Sequence, residues 1–220
     1  MITNVNLAAP VGALAFLGTG FVLFIAAIIL VQSLIVRKRQ RAKYVLAAMV
    51  AVCCLYLMAI LIFSLGSHET LLARGQEKHF CELDCHLAYS IADARQINPS
   101  GDAADHSTAR RASAVVTIKT RFDQTTIAPW RGNSLLFPNS RALTLVDDRG
   151  NRYRPSSQSG TALMTPLRPG ESYTMDVVFD LPADVKKATL FINEADWVTH
   201  LIIGHENSPL HKQAAFQIDL

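Results

Sequence analysis

Apolar residues run without interruption through two long stretches at the start of the chain, then give way to short alternating segments. No charged side chain occurs from Met1 to Val36. Arg37, Lys38, Arg39, Arg41 and Lys43 follow within seven residues, and a second uncharged run extends from Tyr44 to Leu65. A helix needs about 20 apolar residues to cross roughly 30 Å of hydrocarbon. Both runs meet that length. They predict a transmembrane helical hairpin over residues 1–66, with helices near 11–36 and 44–65 and a basic loop at 37–43.

Short loops rich in Lys and Arg stay on the cytoplasmic side of a membrane. The N-terminus and everything beyond Leu65 are therefore expected outside the cytoplasm, in the periplasm at a bacterial inner membrane. The first run lacks a basic start and exceeds the length of a cleavable signal core. Neither apolar run holds an ionisable acid, Lys, Arg or His. Intramembrane charges mark ion and proton paths, so these helices read as an anchor rather than a pump or channel. Gly12, Gly18 and Gly20 predict a smooth face for close contact with Ala47, Ala48, Ala51 and Ala59 of the second helix. Cys53 and Cys54 read as packing residues.

After Ser67 the pattern is that of β-structure. Ala114 to Phe122 is β-branched and largely alternating. Leu143 to Val146 and Arg152 to Arg154 flank a turn over 147–151, where Gly150 can supply the positive φ of a hairpin. The acidic pair Asp147 and Asp148 belongs to that turn. Further strands are predicted at Ser172 to Phe179, Ala188 to Asn193, Thr199 to Ile203 and Ala214 to Ile218. Trp197 and Leu201 to Ile203 are expected in the core, with His200 on the solvated face. Short strands separated by Pro and Gly turns predict an all-β sandwich over 113–220. Residues 67–112 read as a juxtamembrane segment, a first strand from Leu87, and a polar loop from Asn98 to Arg110. Trp130 falls in a loop, as a lid over the sandwich or as a partner-binding anchor.

Charge changes the picture once it is placed along the chain. The net charge is +3. All 18 acidic residues lie after Gly66, and the region beyond it holds 16 basic residues, a net of −2. No basic patch remains to attract phosphates, which argues against a nucleic-acid binder.

Leu143 to Tyr153, Leu167 to Ser172, Val178 to Asp184 and Lys187 to Leu190 occur in an order that resembles the immunoglobulin-like domain of bacterial lipoproteins and membrane-anchored proteins of unknown function. The resemblance covers residues 113–220 and implies an immunoglobulin-like β-sandwich. It carries no catalytic set.

Chemistry is sought instead in His79-Phe-Cys81-Glu-Leu-Asp-Cys85-His86. On an extended strand the two cysteines would stand about 13 Å apart, beyond the reach of a disulfide. A turn would bring them within about 6 Å. Three readings stay open. Thiols outside the cytoplasm pair as disulfides, here Cys81 with Cys85. Two thiolates with imidazoles suit copper or zinc, the imidazoles coming from His86, His205 and His211, with His79 as a further source. The third is an unpaired or redox-active pair.

Two helices before an exterior β-unit resemble the layout of the second subunit of haem–copper oxidases, whose copper motif also holds two cysteines four apart. Tyr89 and Ala92 stand here where that motif continues with His and Met. The expectation is thus a two-helix transmembrane anchor bearing an all-β immunoglobulin-like sandwich. It acts as an accessory module for a membrane-protein partner in the lipid bilayer, or alternatively as a copper- or zinc-binding protein. No enzymatic motif is present.

Overall fold

The computed structural model describes residues 8–80, 86–97, 111–126 and 130–220. Cys81, Cys85 and the polar loop at Asn98 to Arg110 lie outside these. The chain divides into two compact units, one holding Glu69–Asp196 and Gln213–Leu220, the other the helices and Trp197–Lys212.

In the helical unit, α1 spans Ala8–Ile35 and α2 spans Arg39–Leu65. Each is long and apolar enough to cross a membrane. The basic loop is shorter than expected. Arg39, Arg41 and Lys43 belong to the first turns of α2, because Lys and Arg are good helix formers whose stems reach along apolar surface. Residues 36–38 make the turn, with Arg37 at φ 59° and the Lys38 N–H donating to Ser33 O at 2.9 Å. The expected glycine seam is not formed as a unit: a Cβ at Gly18 or Gly20 would meet nothing within 4 Å. Cys53 and Cys54 are free thiols exposed on the outer surface of α2 rather than packed.

The other unit is a β-sandwich. Its strands are β1 (Thr70–Leu72), β2 (Lys78–Phe80), β3 (Leu87–Ile97), β4 (Arg111–Phe122), β5 (Arg141–Asp147), β6 (Arg152–Tyr153), β7 (Pro155–Gly160), β8 (Ser172–Pro182), β9 (Lys187–Glu194) and β10 (Ala214–Asp219). One sheet runs β1-β10-β9-β5-β6 and the other β2-β3-β4-β8-β7. Among the described residues, the strand pairings are antiparallel except that of β1 with β10.

The sheets form because apolar side chains alternate along them. In β9 every second residue from Ala188 to Glu194 is buried. Leu145, Leu190 and Phe216 from one sheet share a core with Ile118, Val177 and Phe179 from the other, all fully buried. Burying each such side chain contributes about 1.5–3 kcal/mol. The β5–β6 turn is as read from the sequence, with Gly150 at φ 83° and Asp147 Oδ1 accepting the N–H groups of Arg149 and Asn151.

One predicted strand is absent. Thr199 to Ile203 belongs instead to a 3-10 turn at Trp197–Leu201 and the bends after it. Trp197, expected in the core, is 69 % exposed. The three-residue apolar run Leu201 to Ile203 carries no period that separates strand from turn.

Candidate functional site

The β2–β3 pairing organises the chemistry of the sandwich. Lys78, His79 and Phe80 pair with Tyr89, Ala88 and Leu87. The chain therefore enters and leaves the stretch holding Cys81 and Cys85 at two paired residues, Phe80 and Leu87. Strand neighbours of this kind stand about 5 Å apart.

His79 is buried, and its Nε2 lies 3.3 Å from Asp123 Oδ2 and 3.8 Å from Glu77 Oε2. Asp123 follows β4 directly, and its N–H donates to the carbonyl of His86 at 2.7 Å. Burial alone would raise the Asp123 carboxyl. Hydrogen bonds from the hydroxyl and N–H of Thr125 and from Arg121 outweigh it and hold the group at about 2. An ionised carboxylate only accepts, so His79 Nε2 carries the proton of that bond. His79 Nδ1 is buried with no hydrogen-bond partner among the described residues. Arg121 spans the cluster. It binds Glu77 through Nε and Nη2, both at 2.7 Å, and reaches Asp123 at 3.4 Å. That bidentate pairing lowers the Glu77 carboxyl and raises the Arg121 guanidinium.

His86 is buried beside this cluster, its ring stacked on Phe122 at 5.5 Å. His205 and His211 belong to the helical unit. His205 is buried, and its Nδ1 accepts the Asn207 N–H at 3.0 Å. His211 is half-buried, and burial pushes its imidazole below its ordinary value. Among the described residues no three His, Cys, Asp or Glu side chains converge as a metal site.

Sequence reading missed the roles of Glu77, Arg121 and Asp123. Asp123 lies 44 positions from His79, and only the β2–β3–β4 register brings the two together. Trp130 is 88 % exposed, which removes its reading as a lid. Leu135 and Phe137 in the same loop are exposed as well. Arg131, next to Trp130, lays its guanidinium 4.7 Å from the Phe122 ring.

No protein-family model matches the chain, and no curated protein matches it. Among solved structures, the chain is similar to an uncharacterized β-sandwich protein of Clostridium difficile 630. The identity is 7 %, over 70 % of this chain and 96 % of that one, with a TM-score of 0.39. It is also similar to a candidate lipoprotein of Bacillus subtilis subsp. subtilis strain 168. Here the identity is 15 %, over 65 % of this chain and 38 % of that one, with a TM-score of 0.37.

Proposed function

We propose that the chain is a membrane-anchored accessory module whose immunoglobulin-like sandwich, held outside the cytoplasm, binds a partner in a membrane-protein complex. The observation that carries this is the loop holding Trp130, Leu135 and Phe137, whose large apolar side chains face solvent. Exposed apolar clusters of this kind mark interaction surfaces, and Trp is among the residues that dominate binding energy. The basic cluster from Arg37 to Lys43 between two uncharged apolar runs supports the orientation, with that cluster on the cytoplasmic side of an inner membrane. The test is native-state sizing of the chain extracted in mild detergent from its own membrane. A Trp130→Ala, Phe137→Ala variant should lose a stoichiometric partner while remaining membrane-integral. An unchanged native size would reject the reading.

A second reading is favoured by one observation, the unpartnered Nδ1 of His79 opposite its bond to Asp123. Metal-binding histidines commonly donate their other ring N–H to a carboxylate. On this reading His79 joins Cys81, Cys85 and His86 in holding copper or zinc. Elemental analysis and a free-thiol count on one purified sample separate it from a Cys81–Cys85 disulfide. Stoichiometric metal with reduced thiols supports the site; oxidised cysteines without metal support the staple.

A further inference from the structure

The segment Trp197–Lys212 joins the helical unit rather than the sandwich, although it links β9 to β10. Contacts to both helices fix it there. The Tyr56 hydroxyl on α2 donates to the Leu201 carbonyl at 2.7 Å. On α1, a Cβ built at Gly12 would stand 2.0 Å from the Ile203 carbonyl oxygen, so loop backbone lies directly against helix backbone.

Tyr56 sets the depth of that contact. It precedes Leu65, the end of α2, by nine residues, which is about 13 Å along a helix rising 1.5 Å per residue. Side chains on a helix tilt toward its N-terminus, so the Tyr56 hydroxyl points further from that end. The Leu201 carbonyl therefore lies well inside the length that the apolar run of α2 covers.

The segment is polar inside and apolar outside. His205, Glu206, Asn207 and Ser208 are buried, whereas Trp197 and Leu210 are each 69 % exposed. Irregular backbone persists at membrane depth only where its polar groups are satisfied by protein. Here the Ser208 hydroxyl donates to Ile202 O, the Asn207 amide donates to the Thr199 hydroxyl, and the His205 N–H donates to Ile202 O. Leu210 holds φ 64°, a conformation rare for a bulky residue. Of the exposed polar members, Lys212 has the reach to place its head at the lipid–water boundary, and the His200 ring turns back to the Trp197 carbonyl, 3.1 Å from its Nδ1.

We propose that Trp197–Lys212 is an interfacial membrane element. It seats Trp197 and Leu210 among the lipid acyl chains of the leaflet opposite the basic turn, continuous with the apolar surface of the helices. This rests on the hairpin crossing the bilayer.

The test uses the full chain carrying Trp130→Phe, which leaves Trp197 as the sole tryptophan. It is reconstituted in phosphatidylcholine vesicles brominated at shallow or deep acyl positions. Trp197 should emit blue-shifted light, lose most of its emission to shallow bromine, and resist aqueous iodide. Emission quenched by iodide and untouched by bromine overturns the proposal, as does emission shielded from both, which would mean cover by protein. A second reporter, Phe24→Trp in a chain lacking both native tryptophans, reads the span itself. Deep quenching there with a water-exposed Trp197 overturns this inference alone. Absence of deep quenching removes the span and the inference together.

Discussion

The imidazole of His79 and the carboxylate of Asp123 face each other at 3.3 Å, both buried, across strands that the sequence separates by 44 positions. The bond occupies Nε2, and Nδ1 on the other side of the ring is buried with no hydrogen-bond partner among the described residues. A buried polar atom left without a partner costs about 1–3 kcal/mol. A ligand at Nδ1 would recover that cost. The reduced chain should then bind Zn2+ stoichiometrically, His79→Gln should abolish the binding, and Asp123→Asn should weaken it about 10–100-fold. Calorimetric titration of the purified chain checks this. No zinc binding by the reduced wild type sinks the metal reading outright.

Acid should unfold the sandwich in a narrow window. Asp123 and Asp147 are both lowered from 3.8 to about 2. For Asp147, burial raises the group, and the side chains of Asn151 and Tyr153 with the N–H groups of Asn151 and Arg149 overcome it. A carboxyl lowered in the folded state stabilises above its unfolded value and stops stabilising as pH falls through the folded value. Each group should therefore contribute about 2 kcal/mol at neutral pH, lost between pH ~4 and pH ~2. Thermal unfolding followed by near-ultraviolet dichroism should drop across that window, less steeply in Asp147→Asn. A flat profile would mean these hydrogen bonds add nothing.

The central strands were legible because burial imposes a period. Ala114 to Phe122, Ser172 to Phe179 and Ala188 to Asn193 alternate in sequence as they do in β4, β8 and β9. β7 was not legible, since Pro155–Gly160 is an edge strand of exposed Ser and Gln held by main-chain pairing to β8. β1 and β2, three residues each, are too short to show a period. The apolar Leu201 to Ile203 misled because such residues signal a dry neighbour without naming it. Here that neighbour is the helical hairpin. Cys81 and Cys85 drew attention by residue type, while Asp123 resembled any acidic residue after a strand.

Lys78 is fully buried, and its ammonium crosses from the β2 sheet to the other. It donates to the carbonyls of Ile192 at 2.7 Å and Ala214 at 3.0 Å, above the Phe80 ring. Lys78→Met keeps the stem and deletes the donors, leaving two carbonyls short of a partner. The expected loss is about 2–3 kcal/mol, and Lys78→Ala should lose more by opening a cavity. Denaturant titration of the detergent-solubilised chain measures both. A Lys78→Met variant as stable as wild type would show that the crossing ammonium is replaceable by apolar packing.

Gly12 sets two physical effects against each other. In the interior of a helix Gly→Ala stabilises by about 1 kcal/mol, so helix propensity alone favours Gly12→Ala. The structure predicts the reverse, since the new Cβ would stand 2.0 Å from the Ile203 carbonyl oxygen and 3.0 Å from its carbon. Backbone on both sides leaves no flexible side chain to give way, and the loop must lift. The Lys212 N–H, which donates to the Ser67 hydroxyl at 2.7 Å, should then be freed. Trypsin reads this directly as faster cleavage after Lys212 in detergent micelles. Gly18→Ala is the matched control, because a Cβ there meets nothing within 4 Å and the cleavage rate should not change. Equal digestion of the two variants would mean that Trp197–Lys212 is not seated on α1.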